Sequence, residues 1–220
     1  MSMGRPFSCL ALVFLAARAV AGSGEDDPGR GLVDEFVNNI VTLDADFEQV
    51  LLDDTGAVVE RTRGTLEIQR PGRFRWTYTE PYEQWLIADG LNLWSYDVDL
   101  AQVTVKPQAE ALADTPAMLL GGAKGALDQF DYEGSYEEAG TTWVKLKPKN
   151  TESGFLEVQL GFAKDGLHRM VFRDNLDQTT LVALHNVTVN GPIPPERFVF
   201  SVPEGVDVVG VPAVADAAHD

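Results

Sequence analysis

The chain has 220 residues, 45% of them hydrophobic, with 17 basic and 34 acidic side chains, one cysteine and a formal charge of −17. That charge repels nucleic acid and anionic bilayer surfaces and disfavours both as direct partners. A lone cysteine allows no internal disulfide, so a core must hold the fold, and the length is sufficient for a single one.

Residues 1–21 read as a cleavable signal peptide. Arg5 precedes an apolar run from Cys9 to Val20 that only Arg18 interrupts, and Ala19-Val20-Ala21 offers an A-x-A cleavage site. A transmembrane anchor needs roughly 20 apolar residues, more than this run supplies. Cys9 precedes the apolar stretch, whereas a lipid-attachment cysteine would follow it. The leader holds two of the 17 basic residues and none of the 34 acidic ones, so residues 22–220 would carry −19 and no cysteine. No later apolar run reaches membrane length, and the exported chain is expected to be free of the bilayer. We read 22–220 as one domain with loose ends at about 22–30 and 210–220, where small and acidic residues prevail.

Leu32, Phe36, Val37 and Ile40 recur at helical spacing and predict a helix over 31–41. The period then changes to two. In 73–79, Phe74, Trp76 and Tyr78 alternate with Arg73, Arg75, Thr77 and Thr79, the mark of a strand with one apolar and one solvated face. Strands are predicted likewise over 45–52, 58–68, 84–88, 92–96, 102–106, 142–147, 155–162, 168–173, 179–189 and 198–202. Turn signals stand at Asp53-Asp54-Thr55-Gly56, Asp89-Gly90, Asp165-Gly166 and Asn190-Gly191-Pro192. Ten to eleven hairpin-connected strands imply a mainly β protein whose antiparallel sheet curls or closes. Residues 109–127 break the pattern. Asp114-Thr115-Pro116 supplies a cap and first-turn proline before Ala117-Met118-Leu119-Leu120, and Gly121-Gly122 ends the run. This short apolar helix either plugs one end of the sheet or moves as a lid.

The residue types that carry catalysis are not arranged for it. His168, His185 and His219 have no metal-ligand spacing and no cysteine to complete a set, and there is no G-x-S-x-G elbow. Gly121-Gly122-Ala123-Lys124-Gly125 lacks phosphate-loop spacing. Carboxylate pairs such as Asp53-Asp54 and Glu137-Glu138 read as solvated turns, and the sequon Asn186-Val187-Thr188 falls inside a predicted strand. Neither an enzyme nor a cofactor is predicted. Aromatic residues instead concentrate in 74–96, with three of the four tryptophans. Part of this material forms core, and a curved sheet covered by short helices would leave the surplus to line a cavity for apolar ligands.

The run Arg70-Pro71-Gly72-Arg73-Phe74-Arg75-Trp76 resembles the periplasmic outer-membrane lipoprotein carriers of the LolA family. So do Phe47-x-Gln49, Gly56, Gly64, Pro81, Asp89-Gly90-x-x-Leu93-Trp94-x-Tyr96-Asp97, Gln102 and Thr115-Pro116-x-Met118-Leu119, an ordered set spanning 32 to about 205. The resemblance implies an unclosed antiparallel β-barrel with short helices as a lid over a hydrophobic cavity. It implies a monomeric periplasmic chaperone that receives acylated lipoproteins from an inner-membrane ABC transporter and delivers them to an outer-membrane acceptor lipoprotein, without catalysis. By motif position, Arg70 would hydrogen-bond the closed lid, and Phe47, Leu66, Phe74, Trp76, Trp94, Met118 and Leu119 would form the acyl-chain cavity. Ala117 departs from the family pattern, where a bulkier residue is common. Two other readings compete: a lipid- or lipoprotein-sensing regulatory module of the same fold, which would normally carry a second domain, and a lipid hydrolase, which lacks its nucleophile here.

Overall fold

The computed structural model describes residues 27–112, 117–122, 125–150 and 152–214; the leader and the Asp114-Thr115-Pro116 cap lie outside these. Helix α1 is Pro28–Asn39, three residues earlier at its start than the apolar spacing predicts, because Asp27 caps it and Pro28 opens its first turn. The Asp27 carboxylate accepts from the Gly29 N–H at 3.0 Å and from the Ser135 hydroxyl, so residues expected in a loose end are tied to the sheet. Val33, Phe36 and Val37 form the buried face of α1, and the Phe36 ring meets Phe162 edge-on at 6.2 Å.

Twelve strands follow: β1 Thr42–Leu52, β2 Val58–Gln69, β3 Arg73–Glu80, β4 Gln84–Asp89, β5 Asn92–Asp97, β6 Gln102–Pro107, β7 Phe130–Glu138, β8 Thr141–Pro148, β9 Phe155–Ala163, β10 Gly166–Asp174, β11 Thr179–Val189 and β12 Asp207–Val209. They make one sheet in the order β12-β6-β5-β4-β3-β2-β1-β11-β10-β9-β8-β7, with β12 and β7 as its two edges, so the barrel is unclosed. Hairpins join almost all neighbours; the β1–β11 pairing closes the two halves of the chain on each other. Helices α2 (Gln108–Leu112) and α3 (Ala117–Gly121) follow β6 and, with α1, cover the concave face. Leu43, Ala45 and Phe47 of β1, Leu66 and Ile68 of β2, and Leu160 and Phe162 of β9 are buried between sheet and helices.

The sequence expectation departs from this structure at three strands. β7 is absent from it because the segment is dominated by acidic and small residues and is broken by a bulge between Tyr132 and Gly134, with Gly134 at φ 119°. Its acidic side chains suit an exposed edge, where charge discourages pairing with other chains. The strand expected over 198–202 is instead a 3₁₀ turn, Pro195–Phe198, followed by extended chain lying on the convex face. Phe198 and Phe200 do alternate, but Phe198 is buried and Phe200 packs at a tilt on Trp94 and Tyr96 without the segment joining the sheet. β12 arises beyond that point and pairs parallel to β6. The segment after it is held rather than loose at Ala213, whose N–H and carbonyl both bond the Asn92 amide, at 2.7 and 3.1 Å.

Candidate functional site

Arg70 leaves the end of β2 beneath the helices, and its guanidinium reaches two of them at once. Nε donates to the Leu120 carbonyl at 3.1 Å and Nη2 to the Leu119 carbonyl at 3.0 Å, both in α3. Nη1 donates to the carbonyls of Phe36 and Ile40 at the end of α1, the latter at 2.9 Å. The group also lies over the Phe36 ring, 4.5 Å from its centroid. All four acceptors are backbone carbonyls toward helix C-terminal ends, which carry partial negative charge, and those of Leu119, Leu120 and Ile40 lack intrahelical partners. Among the described residues no carboxylate pairs with Arg70. Burial lowers its pKa from 12.5 to about 10, so it stays charged at neutral pH.

Two further ties hold the helices to the sheet. The Gly72 N–H donates to the Gly121 carbonyl at 2.8 Å. Gln108, buried at the start of α2, donates to the Gly72 carbonyl at 2.6 Å and accepts from the Gly90 N–H at 2.9 Å, joining the β2–β3 and β4–β5 turns. Nothing in the sequence pattern singles Gln108 out, because a glutamine in a strand-to-helix junction carries no signal until its turn partners are known.

Between these helices and the sheet lies a cavity of about 390 Å³. Phe74, Trp76 and Tyr78 of β3, Leu86 of β4 and Leu93 of β5 form one wall; Gln49, Phe155, Phe172 and Thr180 face them; Ala111, Leu112, Ala117 and Leu120 roof it. The expected Phe74 and Trp76 are therefore in the wall. Phe47 and Leu66 of the sheet and Leu119 of α3 do not line it; each is no more than 2% exposed, as core packed behind the lining. Phe47 supports Trp76 and Tyr78 directly, edge-on at 5.1 and 5.3 Å. Met118 is half-buried against the same core. Ala117 lies in the roof, where its small side chain leaves room in the cavity.

Trp94 is a correction. It lies on the convex face, stacked at a tilt on Phe200 at 5.2 Å with its indole N–H donating to Asp89 at 2.7 Å. Register explains why: Trp94 pairs with Ile87 and Ile87 with Arg75, on the solvated face of β3, whereas Leu93 pairs with Ala88 and Ala88 with Phe74, on the apolar face. Leu93 thus occupies the wall position. Tyr78, Leu86, Leu112, Leu120 and Phe172 complete the wall beyond the residues the sequence indicated. Tyr78 continues the Phe74, Trp76 alternation and could have been read from it; the others depend on pairings across the sheet. Burial pushes the Tyr78 hydroxyl up to about 12, so it remains a neutral hydrogen-bonding group.

Among the described residues no group of three histidine, cysteine, aspartate or glutamate side chains could hold a metal ion, and no helix is long and apolar enough to cross a membrane. The arrangement offers apolar surface under a hydrogen-bonded cover.

Residues 38–201 match the family model described as outer membrane lipoprotein carrier protein LolA. An outer-membrane lipoprotein carrier protein of Nitrosomonas europaea is 42% identical over 175 residues, covering 79% of this chain and 85% of that one. That of Methylococcus capsulatus is 40% identical over 202 residues, covering 92% and 97%. Among solved structures, an uncharacterized conserved protein from Thermus thermophilus superposes with a TM-score of 0.52 at 14% identity, over 83% of this chain and 96% of that one, a likeness of fold alone. With a family match across most of its length and relatives at this identity, the chain belongs to the outer-membrane lipoprotein carrier family.

Proposed function

We propose that this chain is the periplasmic shuttle for outer-membrane-directed lipoproteins: it leaves the cytoplasm on a cleaved signal peptide, accepts acylated cargo from an inner-membrane ABC transporter, shields the acyl chains and passes them to an acceptor lipoprotein at the outer membrane. The observation that carries the reading is Arg70, which fastens α3 and α1 over an apolar cavity through hydrogen bonds to their backbone carbonyls. Phe74 and Trp76 supply acyl-contacting surface, Phe47, Leu66 and Leu119 support it, and Met118 moves with the lid. Acyl chains offer no hydrogen bonds, so their affinity comes from apolar area, about 0.8 kcal/mol per methylene buried. A cover held by bonds that do not involve the ligand lets binding and closure compete, and a ligand shifts such an equilibrium only by its differential affinity for the two states. With its leader cleaved, a monomeric shuttle would diffuse between the membranes.

The experiment is release of a labelled outer-membrane lipoprotein from spheroplasts with and without the purified protein. Release that depends on the protein, in a soluble one-to-one complex, supports the proposal. Cargo that stays on the inner membrane at saturating protein refutes it.

A further inference from the structure

The cavity is not uniformly apolar, and its polar groups lie at one end. Next to the lid, Phe74, Leu93, Leu112 and Leu120 offer hydrocarbon only. Further along β3 the wall presents Trp76 and then Tyr78, same-face neighbours about 7 Å apart along a strand. The Tyr78 hydroxyl and the side chain of Gln49 on β1 both border the cavity at that end. The Trp76 indole N–H is buried and has no acceptor among the described residues. Its two aromatic neighbours are the Phe47 ring, in a T-shaped contact at 5.1 Å, and the Tyr78 ring, stacked at 6.2 Å. A buried donor without a partner bears its full desolvation penalty and is rare in folded proteins, so each instance asks for an explanation. Gln49 and Tyr78 also belong to a second hollow of about 440 Å³, which continues past Thr62 and Gln84 to the exposed Tyr82 and Leu100.

We infer that the Trp76 indole N–H donates to a ligand carbonyl, and that the cavity takes long-chain acyl esters or amides in one direction, with the hydrocarbon toward Phe74 and the lid, the carbonyl at Trp76, and the head group leaving between Gln49 and Tyr78. This rests on the acyl-binding reading of the cavity and adds to it a polar requirement and an orientation. An acyl carbonyl entering with its chain supplies the acceptor that the surrounding side chains do not, whereas a chain of hydrocarbon alone leaves the donor stranded.

The test compares a methyl ester of a long-chain fatty acid with a 1-chloroalkane of equal length, each displacing an apolar fluorescent probe from the purified protein, its Trp76→Phe variant and its Tyr78→Phe variant. A neutral hydrogen bond gained in a site otherwise unsatisfied predicts that the ester competes about five- to tenfold better than the chloroalkane on the unsubstituted protein. Trp76→Phe keeps an aromatic ring in the wall and is expected to abolish that preference, while the affinities for both compounds fall together with the smaller ring area. Tyr78→Phe, a control for aromatic repacking, is expected to retain at least half of it. In the NMR spectrum the Trp76 indole proton is expected to move downfield with the ester and not with the chloroalkane. Equal competition by the two compounds, or a preference that survives Trp76→Phe, overturns the inference while leaving the cavity an acyl site. Failure of both compounds to displace the probe overturns the acyl-binding reading beneath it.

Discussion

Replacing Arg70 by leucine tests the lid most directly. The substitution removes donors to Leu119 and Leu120 of α3 and to Phe36 and Ile40 of α1. Hydrogen bonds to a charged group contribute about 1.5–3 kcal/mol each, so the two to α3 alone hold the lid by roughly 3–6 kcal/mol. Relief of the guanidinium's burial, visible in its pKa of about 10, offsets part of this. A net loss of about 3 kcal/mol shifts the closed-to-open ratio by roughly a hundredfold. Where the open form is the one that admits ligand, apparent affinity for an apolar probe rises by up to that factor. Arg70→Leu is therefore expected to titrate a fluorescent apolar probe ten- to a hundredfold more tightly (about 1.4 kcal/mol per decade), to exchange the amide hydrogens of 119–122 faster, and, under the proposed carrier reading, to retain cargo when offered to an acceptor. Unchanged probe affinity together with normal handover would refute the reasoning, because both follow from the same lost bonds.

Gly122 offers an independent route to the same end. It sits at φ 58°, and a Cβ there would stand 2.1 Å from Arg70 Cδ and 2.3 Å from Nε, so Gly122→Ala should displace the arginine, tighten probe binding and lower thermal stability. Gly64 faces Phe47 across the sheet, and an added Cβ would stand 1.8 Å from the Thr77 carbonyl oxygen; Gly64→Ala is expected to destabilise by roughly 3 kcal/mol, about 6–12 °C in Tm by differential scanning calorimetry. Asp44 on the convex face has its pKa raised above 3.8, by burial first and then by Glu67, against the opposing charge of Arg197. The unfolded chain ionises it more readily, so its charge disfavours folding above the folded-state pKa, and below 3.8 both states are protonated and the penalty vanishes. Asp44→Asn should thus raise Tm at pH 7 and lose that advantage below about pH 4, as melting curves across pH would show (the window follows from the linkage relation).

What the sequence disclosed followed from periodicity. The alternation of Phe74, Trp76 and Tyr78 gave away both a strand and its apolar face, since side chains two apart point the same way. The same rule could not place Trp94, because β5 is apolar on both sides: Leu93 faces the cavity and Trp94 is covered by Phe200 from a segment more than a hundred residues away. A strand buried on both faces shows no alternation, and only its register against Ala88 and Ile87 decides which residue looks inward. The lid helix was legible as a bounded apolar run, but its fastening was not. Carbonyl oxygens carry no sequence signal, so Arg70 could be linked to a lid through family resemblance and not through any partner residue. Gly64 was likewise only a motif position until the Thr77 carbonyl opposite it showed that no side chain fits there.

Under the proposed carrier reading, the strength of the lid sets the range of cargo the protein can both hold and release. At about 390 Å³ the closed cavity lies near the small end of ligand pockets, which run about 300–1,000 Å³. Several long acyl chains cannot enter without displacing α2 and α3. Opening forfeits Arg70's bonds to α3, about 3 kcal/mol, which burial of about four methylenes offsets. A chain that buries fewer leaves the lid shut, and the protein then exposes little apolar surface in transit. A chain that buries many more would hold the lid open and resist handover. Fastening the lid through backbone carbonyls, whose strength no acyl chain can alter, makes this threshold a property of the protein and not of the cargo. Substitutions that weaken the fastening should therefore move uptake and release in opposite directions for every lipoprotein tested, irrespective of its protein part.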